Sequence, residues 1–162
     1  MVPYLAGVAG YSQTPLASKL GIKDGTTLAL LNAPPGLIQH PAGGIVKLQA
    51  RGHADVVVAF FTERAELERR IRVLEKMIFP NGGLWIAWPK RVSGVETDIV
   101  DDVVREVALP RGLVDTKVCA IDETWTGLRV VWRREWRTAN AAATASSPSR
   151  VAPSRQRAGM PR

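Results

Sequence analysis

The residues of this chain best suited to chemistry stand just beyond its apolar runs. Asn32 is followed by Ala33, Pro34, Pro35 and Gly36; Thr62 and Glu63 follow a second run, and Lys90, Arg91, Ser93 and Asp98 a third. Asp122, Glu123 and Trp125 come after a fourth. Each has a chemical and a plain structural reading. Asn32 is a ligand contact or a turn former, and Pro34-Pro35-Gly36 a shaped ligand loop or only a rigid turn. Trp88 is a stacking platform or, since Leu84 and Ile86 share its strand face, core packing. Lys90 and Arg91 are solvated cations or the counter-charges of an anionic ligand. Asp98 reads most simply as a helix cap or first-turn acid. Asp122 and Glu123 form an acid/base pair or supply a hairpin turn.

Several chemistries find no support in the pattern. The glycine stretches 7–10 and 43–44 do not lie between a buried strand and a helix, so no dinucleotide-binding fingerprint exists, and there is no GxxxxGK[ST] phosphate loop. Ser12, Ser18 and Ser93 lack a nucleophile elbow, and His40 and His53 have no partner at metal-ligand spacing. Cys119 is the single cysteine; it excludes an intrachain disulfide and, lying within a strand, reads as a small buried hydrophobe. No metal is expected.

The elements that must position these residues follow from periodicity. Residues 26–32 and 84–88 are compact apolar runs, and residues 55–61 (DVVVAFF) are β-branched and aromatic throughout. Runs apolar on both faces call for a sheet covered on both sides, hence parallel strands under helices. A short helix is expected over residues 16–20, stopped by Gly21, and a weaker strand over 45–49, whose five-residue link to the next strand leaves its pairing direction open. Residues 63–79 place Leu67, Ile71, Leu74 and Ile78 on one helical stripe, and residues 98–109 do the same with Ile99, Val103 and Val107. Residues 113–121 and 128–136 form a closing hairpin, and the alternation of the second strand suggests an edge position. Strand, helix, strand, helix and hairpin make an α/β domain with a doubly wound, mostly parallel sheet. Its loops beyond the strand ends face a common crevice.

Charge divides unevenly along the chain. The net charge is +7, yet residues 137–162 hold five arginines and no acid, leaving 17 bases against 15 acids in residues 1–136. The expected organisation is a flexible stretch over residues 1–9, a domain over 10–136, and a disordered basic tail over 137–162 that binds nucleic acid weakly if at all. No run approaches the roughly 18–20 apolar residues of a membrane span, and no basic segment introduces a secretory signal, so the expectation is a cytoplasmic protein without membrane contact.

The segments AGYSQTPLASKLGI, LALLNAPPG, ADVVVAFFTERAELE, GGLWIAWPKRVSGVETDI and VREVALPRGLVDTKVCAIDETWTGL resemble the bacterial family catalogued as domain of unknown function 3052, over residues 9–136. The order of elements, with its terminal hairpin, is also similar to the Rossmann-like fold of methyltransferases that use S-adenosylmethionine (SAM). That resemblance implies an acid at the end of the first strand, a glycine-rich loop after it and an acid ending the second strand. Here these places hold Asn32, the Pro34-Pro35 pair, and Gln49-Ala50. SAM is therefore not the expected cofactor. The expected function is a methyltransferase-like domain without catalysis of its own, binding a small molecule, an anionic one if Lys90 takes part, or a protein. The alternative is a divergent enzyme in which Asp98, Asp122 or Glu123 acts as acid/base.

Overall fold

The computed structural model describes residues 16–35, 47–48 and 51–138. Within them, α1 spans Leu16–Leu20, β1 Thr27–Leu31, β2 Lys47–Leu48, β3 Val56–Phe60, α2 Arg64–Ile78 and β4 Gly83–Pro89. A 3-10 turn at Arg91–Ser93 leads to α3 (Asp101–Ala108), β5 (Leu113–Ala120) and β6 (Trp125–Trp132). The six strands form one sheet in the order β2-β1-β3-β4-β6-β5. Pairs β1–β2, β1–β3 and β3–β4 are parallel, and β4–β6 and β5–β6 antiparallel. The α/β class, the largely parallel sheet and the closing hairpin are those expected, and the open pairing question resolves as parallel.

Both faces of the sheet are covered. Every residue of β3 and β4 is buried. On one face Val57, Ala59, Leu84, Ile86 and Trp88 pack against Leu67, Ile71, Leu74 and Ile78 of α2 and Val104, Val107 and Ala108 of α3. On the other, Val56, Val58, Phe60, Trp85 and Ala87 meet Leu16, Ala17 and Leu20 of α1. Gly21 ends α1 at φ 84°, a left-handed turn that a residue with Cβ adopts at a cost.

Three expectations need correction. The edge strand on the hairpin side is β5, not the last strand, because β6 is inserted between β4 and β5, and β2 stands at the opposite edge. Its alternation reports how completely each face is covered; an edge is defined by unpaired backbone, which side-chain pattern does not encode. The last strand stops at Trp132, and residues 134–138 are helical, with the Trp136 N–H donating to the Arg133 carbonyl (3.0 Å). Finally, α3 begins at Asp101 rather than Asp98, since Val100 is extended (φ −134°, ψ 175°).

One compact unit runs through Trp132, and a second begins at Arg133. The segments read as a flexible start (residues 1–9) and all but the first two residues of the basic tail (139–162) lie outside the described residues, as does Gly36. No helix among the described residues is long and apolar enough to cross a membrane.

Candidate functional site

The chain order reverses direction across the sheet between β1 and β3: the path leaves β1 toward β2 on one side and β3 toward β4 on the other. Ligands of open α/β sheets bind beyond the carboxyl ends of the strands at such a reversal. Phe60, the last residue of β3, is the hub there. Its carbonyl accepts a hydrogen bond from Asn32 Nδ2 (3.2 Å), and its ring meets Trp125 edge-on, with centroids 5.1 Å apart and planes at 89°. Asn32 itself stands at φ 60°, a left-handed conformation more usual for glycine, and asparagine is among the side chains that tolerate it. The loop after β1 is thus pinned to the end of β3, and Trp125 is brought over the same strand.

The loop after β4 is tied to its neighbours as closely. The Thr97 hydroxyl donates to the Thr62 carbonyl (2.7 Å) and accepts from the Ile99 N–H (3.1 Å). Asp98 Oδ1 accepts the Arg64 backbone N–H (2.7 Å), so this acid caps α2 instead of the helix that follows it. Glu63, at the N-cap position of α2, makes no side-chain cap of its own. Loss of that cap in Asp98→Ala is expected to cost about 1 kcal/mol, read as a lower urea midpoint with unchanged slope. An Asp98→Asn variant, which keeps an acceptor, should recover most of it.

Other candidates serve their own turns. The Ser93 hydroxyl donates to the Lys90 carbonyl (2.7 Å) and accepts from the Val95 N–H (3.2 Å), and the Lys90 N–H donates to the Thr124 carbonyl (2.7 Å). Asp122 Oδ1 accepts the N–H groups of Thr124 and Trp125 (2.8 and 2.7 Å), which closes the hairpin turn, while Glu123 is exposed. Trp88 is buried with Leu84 and Ile86, so it offers no platform. Pro34 is half-buried and Pro35 exposed. Cys119 is buried, and loss of water there pushes its thiol up against the opposing pull of Lys19 and Lys117, which disfavours the thiolate a nucleophile needs.

What opens to solvent is a depression of about 320 Å³ lined by Thr62, Glu63, Glu96, Thr97 and Asp98. It offers hydroxyls and carboxylates, and Lys90 is not part of its wall. Of these five, Glu96 and Thr97 were not among the candidates singled out from the sequence. The Thr97-Asp98 pair ahead of a helix is a recognisable capping signal, but nothing local tells which helix it caps.

Comparison with family models and with curated proteins gives no match, so the resemblance to domain of unknown function 3052 stays without independent support. Solved structures do match. A SAM-dependent methyltransferase from Aquifex aeolicus is 13% identical, covering 71% of this chain and 86% of that one, with a TM-score of 0.54. The magnesium protoporphyrin IX methyltransferase of Synechocystis PCC 6803 with bound SAM is 10% identical over 81% of this chain and 79% of that one, also at 0.54. At such identities the likeness is one of fold, and the chain has the Rossmann-like architecture of SAM-dependent methyltransferases.

Proposed function

We propose that this chain is a ligand-binding domain on the methyltransferase fold that does not itself transfer a methyl group. The observation that carries the reading is the closure of the loop after β1, where the Asn32 amide is spent on the Phe60 carbonyl. Pro34 and Pro35 follow, and neither has an N–H to offer an approaching ligand. The acid/base candidates point the same way: Asp98 is committed to α2 and Asp122 to its own turn. The depression beside Thr62 presents three carboxylates and two threonines and no basic side chain, which suits an amine- or hydroxyl-bearing ligand better than an anion.

A second reading keeps SAM as the ligand of a divergent enzyme. It is favoured by the same acceptor-rich wall, since SAM brings an ammonium, a sulfonium and two ribose hydroxyls. Thermal shift separates the two. A ligand at 100 times its dissociation constant stabilises the folded state by about 2.7 kcal/mol, enough to raise the melting temperature by several degrees. We expect no shift with SAM or its demethylated product, and a shift with an amine such as spermidine or with a sugar. A SAM shift abolished by Asn32→Ala or Gly36→Val would establish the enzyme reading instead.

A further inference from the structure

The face of the sheet that carries α1 holds a group of cations to which no carboxylate is ion-paired among the described residues. Trp85 of β4, Arg129 of β6 and Lys117 of β5 are successive register partners across three strands, so their side chains share this face. The Lys117 ammonium stands 6.0 Å from the centroid of the Trp85 ring. The Arg129 guanidinium lies against Gly83, where a Cβ would come within 2.7 Å of its Nε and Nη2; a glycine at that place in β4 leaves the room it occupies. Lys19 of α1 adds its charge to the same face, close enough to act with Lys117 on the Cys119 thiol.

Like charges directly opposite on neighbouring strands destabilise a sheet. Arg129 is half-buried, and loss of water disfavours its charged form. Yet its one side-chain partner is the Thr116 hydroxyl, 3.3 Å from Nη1. Ion pairs among the described residues join carboxylates to Arg64, Arg69, Arg70, Arg105 and Arg111, and to neither Arg129 nor Lys117. All 15 aspartates and glutamates of the chain fall within the described residues, and none of them is ion-paired to either cation. The face is open to an anion from outside.

We propose that Arg129 and Lys117 form a receptor for a phosphate group on the α1 face of the sheet. A planar guanidinium fork on β6 and a compact ammonium at the paired position of β5 offer complementary donors to the oxygens of a tetrahedral anion, and two positive charges match a phosphate dianion better than a single carboxylate. The position is distinct from the acceptor-lined depression at Thr62, and the proposal does not depend on what binds there. The phosphate belongs either to a free small molecule or to a nucleic-acid backbone.

The test is calorimetric titration of the full chain with pyrophosphate at low salt. Binding is expected to weaken by about tenfold in Lys117→Gln, which removes an exposed charge, and by more in Arg129→Gln. Since Arg129 is half-buried, Arg129→Lys serves as the second variant: it keeps the charge, loses the fork and should lie between. Raising sodium chloride should weaken the wild type more than either charge-removing variant. An oligonucleotide that displaces pyrophosphate identifies the backbone as the source, and one that leaves it bound identifies a free phosphate compound. Absence of pyrophosphate binding by the wild type, or equal affinity in the wild type, Lys117→Gln and Arg129→Lys, would overturn the proposal.

Discussion

Replacing Trp85 by alanine is expected to destabilise the protein by about 3–5 kcal/mol, the largest effect of any single side-chain truncation considered for this fold. Trp85 is wholly inaccessible and is the largest fully buried side chain. It lies in β4, flanked by β3 on one side and β6 on the other, and its indole N–H donates to the Leu20 carbonyl (3.0 Å), so the same residue fills the second core cluster and fastens α1 to the sheet. Alanine leaves a cavity bordered by Val58, Phe60 and Ala87 on the rigid central strands, which limits collapse, and strands a buried carbonyl at Leu20. Trp85→Phe keeps most of the volume and loses the hydrogen bond, so it should recover more than half of the loss. The measurement is the urea midpoint at constant slope. A cost below about 1 kcal/mol for the alanine variant would mean that α1 does not seal this face.

The second large effect concerns Glu75 and Arg111. Glu75 sits on α2 with 8% of its surface exposed, and both of its carboxylate oxygens accept from Arg111, with Nη2 to Oε2 at 3.0 Å. The bond to Glu75 holds the guanidinium above its ordinary pKa. Arg111→Met is expected to cost about 2–3 kcal/mol. This is below the full penalty for breaking a buried pair because the arginine side chain remains 31% exposed and some water reaches the site. The double variant Glu75→Gln, Arg111→Met should be more stable than Arg111→Met alone, because it carries no unpaired buried charge. If the double variant loses as much again, packing of the arginine stem, and not the ion pair, is what the site contributes.

Much of the fold was legible without coordinates because it rests on local periodicity. The β-branched run ending in Phe60, the stripe of Leu67, Ile71, Leu74 and Ile78, and the apolar β4 each report their own burial, and burial on both faces implies the parallel, helix-covered sheet that is found. The site was legible only in part. That Asn32, Thr62, Asp98 and Trp125 lie at the ends of strands followed from the pattern, but what each one does is fixed by a partner far away in the chain. Asn32 and Phe60 are 28 residues apart, Thr97 and Thr62 are 35 apart, and Asp98 reaches Arg64 across 34.

The amino-acid sequence by itself determined the element types, the core stripes, the ending of α1 at Gly21 and the excess of arginine over acid in residues 137–162, since each depends on neighbours within a few residues. Tertiary structure alone decided three things. It placed β6 inside the sheet and β5 at its edge, because strand order is a matter of backbone pairing between distant segments. It turned Asp98 from a cap on its own helix to a cap on α2, because a carboxylate takes the nearest free N–H in space. It also set Lys117 opposite Arg129 with no carboxylate ion-paired to either among the described residues, a juxtaposition that arises only when β5 and β6 pair in this register.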